Sequence, residues 1–382
     1  MGLRDLEAVV LPGELDTLRR EVRAFLAEET GSGRIAPHCD QWLAGWDPEF
    51  SRELGRRGWI GMSFPKEYGG AEAGALARFV VTEELLAAGA PVAAHWIADR
   101  QSGPALLKFG TEEQRRAYLP ALARGECFFA IGMSEPDTGS DLASVRARGE
   151  RVPGGWVLNG TKIWTSGAHG AHAMIALVRT APREKDRHAG LTQFIVDLSS
   201  PGVQIRPIRL LTGEHHFNEV VLDDVFVRDD RVLGRPGDGW RQVTGELAME
   251  RSGPERILST FPLLAAAVDH LARTGERVDP GRLGAVVARL WALRQMSLAV
   301  AARLEDGQAP AAGAAVVKDL GTRFEGALVD TVRMLTQVEP DAGSGGLAGM
   351  LAESVLHSPG FTLRGGTNEI LRGVIAKGLG TR

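Results

Sequence analysis

The sequence predicts an α+β fold, and three observations along its 382 residues predict it. Residues 14 to 125 carry the spacing of helices, 127 to 234 break into short β-branched and aromatic runs, and helical spacing returns from Gly237. Strands gathered between two helical blocks argue against a doubly wound sheet, in which strand and helix alternate. Three segments follow: helical over 1–126, β over 127–235 and helical over 236–382. Such a length suits two or three core units at one domain per roughly 150 residues.

In the first segment, Leu15, Leu18, Val22, Phe25 and Leu26 fall on one helical face, and Gly31-Ser32-Gly33 ends the run. Thr111-Glu-Glu-Gln114 sets a hydroxyl three residues before an amide, a capping box that opens a helix running towards Arg124-Gly125. The middle segment holds the runs Trp156-Val-Leu, Met174-Ile-Ala-Leu-Val178, Phe194-Ile-Val and Val220-Val-Leu, separated by turn residues. Asn159-Gly160 lies between Val157-Leu158 and Ile163-Trp164 and predicts a tight hairpin, because the pair tolerates the positive φ of a type I′ turn. The strands are expected to run antiparallel. In the last segment Leu283, Val286, Val287, Leu290 and Leu293 mark one helix, residues 311–335 another, and a Gly-rich loop covers 343–349.

Composition narrows the function. Apolar residues make up 44% and charged residues 24%, the balance of a packed globular chain rather than a disordered or fibrous one. A net charge of −4 leaves no overall electrostatic footprint for nucleic acid. Cys39 and Cys127 stand alone, so neither a disulfide framework nor a Cys-rich zinc site is expected, no metal ligands are assigned, and the reading is cytoplasmic. The N-terminus lacks the long apolar core of a secretory signal, and no uninterrupted apolar run of membrane-spanning length occurs, so no membrane span is expected.

Two stretches could carry chemistry. Ile131-Gly-Met-Ser-Glu-Pro-Asp-Thr-Gly-Ser-Asp141 sets hydroxyls, acids and free backbone N–H groups in a loop after an apolar strand, which can line a polar cofactor or simply be surface. Lys162-Ile-Trp164-Thr165-Ser166-Gly167 puts a flat aromatic beside two hydroxyls, a wall for a planar ring system or a core tryptophan at a strand end.

Taken together, the Ser-Glu-Pro-x-x-Gly-Ser-Asp run, the Asn-Gly-x-Lys-x-Trp-x-Ser-Gly run and the C-terminal Gly-Gly-Thr-Asn-Glu-Ile-Leu-Arg run resemble the acyl-CoA dehydrogenase family, in order, over residues 14–380. The resemblance implies a helical N-terminal domain, a β-barrel-like middle domain and a C-terminal four-helix bundle, with FAD as cofactor and a homodimer or homotetramer as assembly. It implies that Ile131, Met133 and Ser134 lie along the flavin and that Gly139 and Ser140 border flavin and thioester. Trp164, Thr165 and Ser166 would close the other side, and Thr367, Asn368 and Glu369 would meet the dinucleotide. The implied reaction, part of fatty acid metabolism, converts an acyl-CoA to a trans-2-enoyl-CoA by removing an α-proton and passing a β-hydride to flavin N5. An electron-transferring flavoprotein is the implied acceptor.

That reaction needs a carboxylate base. Many relatives place it before the C-terminal Gly-Thr, where this chain reads Arg364-Gly365-Gly366-Thr367. Gly365 cannot act as a base, although its N–H, with Gly366 beside it, can polarise a thioester carbonyl. Isovaleryl-CoA and long-chain relatives use a helix position that matches Met249-Glu250-Arg251. Trp240, Val243, Leu247 and Glu250 are spaced as one apolar helical stripe, where a carboxylate has its charged form disfavoured and gains base strength. An ordinary helix acid paired with an arginine is the plainer alternative. Arg251 would by resemblance contact CoA, and Ser252-Gly253-Pro254 should disrupt the helix past the acid.

The chain also departs from the family. Relatives carry Arg-x-x-Phe-Gly and Gln-x-x-Gly-Gly-x-Gly stretches that serve a neighbouring subunit's FAD; here the regions read Arg273-Thr-Gly-Glu-Arg-Val-Asp-Pro280 and Gln337-Val-Glu-Pro-Asp-Ala-Gly-Ser-Gly-Gly346. An Asp usual before the arginine is Ala248. These changes leave room for a heteromeric partner, for a non-catalytic subunit, and for an oxidase or carrier-protein-linked dehydrogenase. The polar run from His95 to Gln101 suggests a functionalised or compact acyl group.

Overall fold

Helix caps and apolar periodicity set the order of elements along the chain. The computed structural model describes residues 6–182, 186–250, 253–308 and 310–380, with the side chains of 246–250 outside that description. Helices α1 (Leu15–Gly31), α2 (Gln41–Ala44), α3 (Pro48–Arg56), α4 (Ala75–Ala87), α5 (Ala93–Ile97), α6 (Gly103–Phe109) and α7 (Glu112–Ala123) come first. Strands β1 (Phe129–Gly132), β2 (Arg148–Val152), β3 (Gly155–Ser166), β4 (Ala173–Arg179), β5 (Leu191–Asp197), β6 (Val203–Arg209) and β7 (His215–Arg228) follow. Helices α8 (Gly239–Glu250), α9 (Phe261–Thr274), α10 (Pro280–Glu305), α11 (Ala311–Thr336), α12 (Gly346–Phe361) and α13 (Asn368–Gly378) close the chain. The expected capping box forms at α7, where the Thr111 N–H donates to Gln114 Oε1 (3.1 Å) and the Gln114 N–H to Thr111 Oγ1 (3.3 Å).

The chain divides into two compact units, each discontinuous in sequence: Met1–Gly45, Gly74–Pro91 and Ala248–Arg382 form one, Trp46–Ala73 and Val92–Leu247 the other. The sheet belongs to the second unit. Its seven strands run in the order β1-β4-β2-β3-β7-β6, with β5 on β4. Met174, Ala176 and Val178 of β4 face a core with Leu158, Phe194 and Val220, whereas Ala173 and Ile175 face Phe64, Leu106, Leu119 and Leu122. Both faces of β4 are covered, so it reads as a continuous apolar run rather than an alternating one.

Two expectations are corrected here. The sheet is mixed, because β1 and β4 pair in parallel. Asn159-Gly160 makes no hairpin: β3 runs unbroken through it, and the turn from β2 falls at Pro153-Gly154, with Gly154 at φ +80°. The pair instead forms a bulge against β7, marked by a register shift between Leu158 and Gly160. Asn159 there exchanges hydrogen bonds with Asp224 (Nδ2 to Oδ1, 2.9 Å; Asp224 N–H to Oδ1, 3.0 Å). A side chain at Gly160 would lie 2.4 Å from the Ala147 methyl, so glycine is needed for close approach rather than for a turn.

In the first unit α11 is the central helix, packed by α9, α10, α12 and α13. Its small residues allow close helix contact, and Val317, Phe324 and Leu328 are buried. Among the described residues one helix, α10, is long and apolar enough to cross a membrane by length and composition (mean hydropathy 1.2); it packs on α11 and α4. Val287, expected on its buried stripe, is 55% exposed, and Trp291 is 60% exposed.

Helix α11 also buries Glu325, whose Oε1 accepts from the Ser259 N–H (2.8 Å) while Oε2 lies buried without a hydrogen-bond partner among the described residues. Burial pushes this carboxyl up to about 7, opposed by Arg364. The native state therefore holds the proton more tightly than the unfolded chain. Its contribution to stability is complete below the ordinary value of 4.5 and is lost as pH rises to about 7. Glu325→Gln should accordingly melt higher than the parent at pH 8, by up to about 3 kcal/mol, with the gap closing in melts at pH 4.5.

Candidate active site

In the sheet unit, the loop after β1 and the end of β3 are fastened together by one buried ion pair. Lys162 Nζ donates to Glu135 Oε1 (2.7 Å) and to the Met133 carbonyl (3.2 Å), with the lysine side chain fully buried and the glutamate 6% exposed. Glu135 also accepts from the Arg146 N–H (2.6 Å) and the Ala147 N–H (2.9 Å), which closes the loop at its far end. Burial lowers the Lys162 pKa from its ordinary value although Glu135 works to raise it. The Ser134 carbonyl accepts the Ile163 N–H (2.9 Å), the next link to β3.

These bonds bring most of the motif residues of the two runs to one edge. Ile131 and Met133 are half-buried and pack into the apolar cores. Ser134 is half-buried, and Gly139 and Ser140 are exposed on the loop. Trp164 is 53% exposed and sits at φ +58°, inside a register shift between Lys162 and Thr165. A bulky residue in that region costs on the order of 1–3 kcal/mol and persists only where its surroundings fix it. Its ring stands edge-on to Phe217 at 5.8 Å. Thr165 is buried, and its Oγ1 has no hydrogen-bond partner within the described chain. Ser166 is half-buried and pairs with Phe217. An exposed indole beside an unspent hydroxyl fits a planar ring with a polar edge, as a flavin has.

The polar run over 95–101 is largely structural. His95 and Trp96 are buried, and His95 Nδ1 meets Ser51 Oγ at 2.9 Å, with burial holding the imidazole down to about 4. Asp99, in a π-helical turn over Ala98–Ser102, accepts the Gly61 N–H (2.7 Å).

In the other unit the C-terminal motif is held from beneath. Arg364 makes a two-pronged ion pair with Asp40 (2.6 and 2.9 Å) and lies over the Trp42 ring at 4.7 Å. His357 adds a contact to Asp40 at 3.5 Å. Gly365 and Gly366 follow at φ +65° and +88°. Buried Lys318 donates to the Gly366 carbonyl (2.6 Å) and to Asn368 Oδ1 (3.0 Å), and Asn368 Nδ2 donates to the Asp319 carbonyl and to Thr322 Oγ1 (both 3.3 Å). The Asn368 side chain is thus committed inside the chain. Thr367 caps α13 by accepting the Ile370 N–H (3.4 Å). Glu369 is exposed in the first turn, where its own backbone N–H and then the Thr367 hydroxyl hold its carboxyl below the ordinary value.

Helix α8 carries the expected stripe as far as it is described: Val243 is buried and Trp240 half-buried, in one cluster with Val145, Leu177 and Leu191. Glu250 is its last residue, with its side chain outside the described atoms. Arg251 lies outside the described residues, and Gly253 is extended (φ −74°, ψ 171°) ahead of Pro254, as a residue before proline should be.

Three supports escaped the sequence reading. Asp40 and Lys318 lie far from the motif they hold and belong to no periodic pattern. Lys162 sat within a quoted run but gave no sign that its charge would be buried.

Comparisons with known proteins identify the family. The chain matches the family models for the acyl-CoA dehydrogenase N-terminal domain over residues 12–126 and the acyl-CoA dehydrogenase middle domain over residues 130–225. It is 35% identical over 348 residues to acyl-CoA dehydrogenase FadE34 of Mycobacterium tuberculosis (strain ATCC 25618 / H37Rv), covering 87% of this chain but only 46% of that protein. It is 32% identical over 403 residues to acyl-CoA dehydrogenase IpdE1 of Mycolicibacterium smegmatis (strain ATCC 700084 / mc(2)155), covering 95% of this chain and 97% of the relative. The solved Tcur3481-Tcur3483 steroid ACAD superposes with a TM-score of 0.85 at 29% identity, over 100% of both chains. With both of these domains matched and a relative aligned end to end, the chain belongs to the acyl-CoA dehydrogenase family, whose members are FAD-dependent oxidoreductases.

Proposed function

We propose that this chain dehydrogenates an acyl-CoA thioester to its trans-2-enoyl product, with Glu250 taking the α-proton. The observation that carries the reading is the edge formed by the Ser134 loop and Trp164–Ser166, whose exposed indole and unspent Thr165 hydroxyl suit a flavin. Ile131, Met133, Ser134, Trp164, Thr165 and Ser166 would hold the ring, with Gly139 and Ser140 beside it. Thr367 and Glu369 would serve the dinucleotide, and Asn368 would hold their loop rather than touch it. FAD supplies a two-electron acceptor for the β-hydride. The Gly365 and Gly366 backbone would polarise the thioester carbonyl, acidifying the α-carbon, and Arg251 would hold CoA. The three segments 1–126, 127–235 and 236–382 are the domains of this reading.

A solved neighbour named as a steroid dehydrogenase supports a bulky, steroid-derived acyl group as the first substrate class to try. The same neighbour is named for two chains, Tcur3481-Tcur3483, and the altered Arg273 and Gln337 regions likewise favour a partner chain over a plain homo-oligomer. Exposed Val287 and Trp291 on α10 and Met334 on α11 offer apolar surface for such an assembly. The test is anaerobic titration of the purified flavoprotein with a panel of acyl-CoAs, steroid-derived and straight-chain. Loss of the oxidised flavin band with at least one of them is expected. No bleaching by any, with FAD bound, would favour a non-catalytic subunit, whereas oxygen consumption without an added acceptor would favour an oxidase.

A further inference from the structure

Trp164 is held in its strained conformation from both sides. On one side the Ile163 N–H is taken by the Ser134 carbonyl at 2.9 Å. On the other, the Thr165 carbonyl accepts from Nδ2 of Asn218, the fully buried residue paired with it across the β3–β7 ladder (2.9 Å). The Asn218 amide cannot turn over, because its oxygen would then face the Thr165 carbonyl oxygen. Two histidines reinforce that orientation. His215 Nε2 donates to Asn218 Oδ1 (2.8 Å), and His169 Nδ1 accepts from Asn218 Nδ2 (3.2 Å), so His169 carries no proton on that nitrogen. The two imidazoles lie 4.3 Å apart. Both polar atoms of the Asn218 side chain are thus spent, Nδ2 on the segment that follows the bulge and Oδ1 on His215 of its own strand.

We propose that Asn218 is a positioning residue for the flavin wall: by tying down the Thr165 carbonyl it keeps the Trp164 indole turned out at the strand edge. The proposal rests on the reading of Trp164 as a flavin contact. A residue this strained relaxes when one of its two anchors is removed, and the segment around Trp164 then recovers ordinary backbone angles. Cofactor affinity falls as a result, without any direct contact between Asn218 and the cofactor.

A double-mutant cycle on FAD affinity tests it, read by flavin fluorescence as FAD is titrated onto the full chain stripped of cofactor. Trp164→Phe and Asn218→Ala are each expected to weaken FAD binding about fivefold. Acting through one another, they should leave the double variant at about fivefold as well, rather than the roughly twenty-five-fold of independent sites. His215→Ala is the milder variant if Asn218→Ala fails to fold; it should weaken binding about twofold alone and add nothing in the Trp164→Phe background. Additive losses, or FAD affinity untouched by Asn218→Ala, would overturn the proposal while leaving the proposed function standing. An unchanged affinity in Trp164→Phe would remove the indole from the flavin wall and the positioning role with it. A parent chain that binds no FAD at all would sink the functional reading and this inference together.

Discussion

Replacing Glu250 with glutamine is expected to leave FAD bound and to slow its bleaching by acyl-CoA about 10³-fold. Glutamine keeps the volume and most of the hydrogen-bonding reach of the acid but cannot accept a proton. Binding of cofactor and thioester should therefore be nearly unchanged, and the loss should fall on the chemical step. The position supports this role because Val243, about two turns back on the same stripe, is fully buried. On the sequence spacing alone, a carboxylate continuing that stripe would have its charged form disfavoured, and the bleaching rate is then expected to rise with pH through a value above the ordinary glutamate range. Rapid-mixing absorbance at the oxidised flavin band, across pH, measures both the loss and the profile. Bleaching at the parent rate in Glu250→Gln would remove the base from α8. Gly365 could not inherit the role, having no side chain, so another acid would have to be found.

The helix–sheet–helix order was legible because periodicity changes visibly at Cys127 and again at Gly237. The Thr111 capping box was legible for a related reason: both of its hydrogen bonds join residues three apart. Signals of this kind are local. The Asn159-Gly160 pair shows where local reading fails, since positive φ at Gly160 serves a bulge and the close approach of Ala147, neither of which neighbouring residues announce. The motif residues could be named from the sequence, but the side chains that hold them could not. Asp40 is 324 residues from Arg364, and Asn218 is 53 from the carbonyl it binds, so only the fold makes them partners. Sequence singled out Trp164 by its motif, whereas its positive φ and the two hydrogen bonds that flank it emerge only in the fold.

The brace with the largest energetic consequence is Lys162–Glu135. Lys162→Met should leave the Glu135 carboxylate buried with only the Arg146 and Ala147 N–H groups for company, at a cost of about 3–5 kcal/mol. Glu135→Gln strands the opposite charge. Burial already lowers the Lys162 pKa, and a depressed folded-state value means stability is lost as pH falls through it. Glu135→Gln should therefore be least damaging in alkaline buffer, where Lys162 can be neutral, and most damaging near neutrality. The double variant Lys162→Met/Glu135→Gln buries no net charge and should melt above Lys162→Met alone, because the penalty in each single variant comes from an unpaired ion rather than from a lost attraction. Flavin content should follow a different rule. The pair links the Ser134 loop to the strand that carries Trp164, so Lys162→Met and the double variant lose that link and Glu135→Gln weakens it, and all three should purify with less FAD, even where the double variant regains thermal stability. Recovery of both stability and flavin in the double variant would mean that the ion pair stabilises the sheet without shaping the edge where the cofactor is proposed to sit.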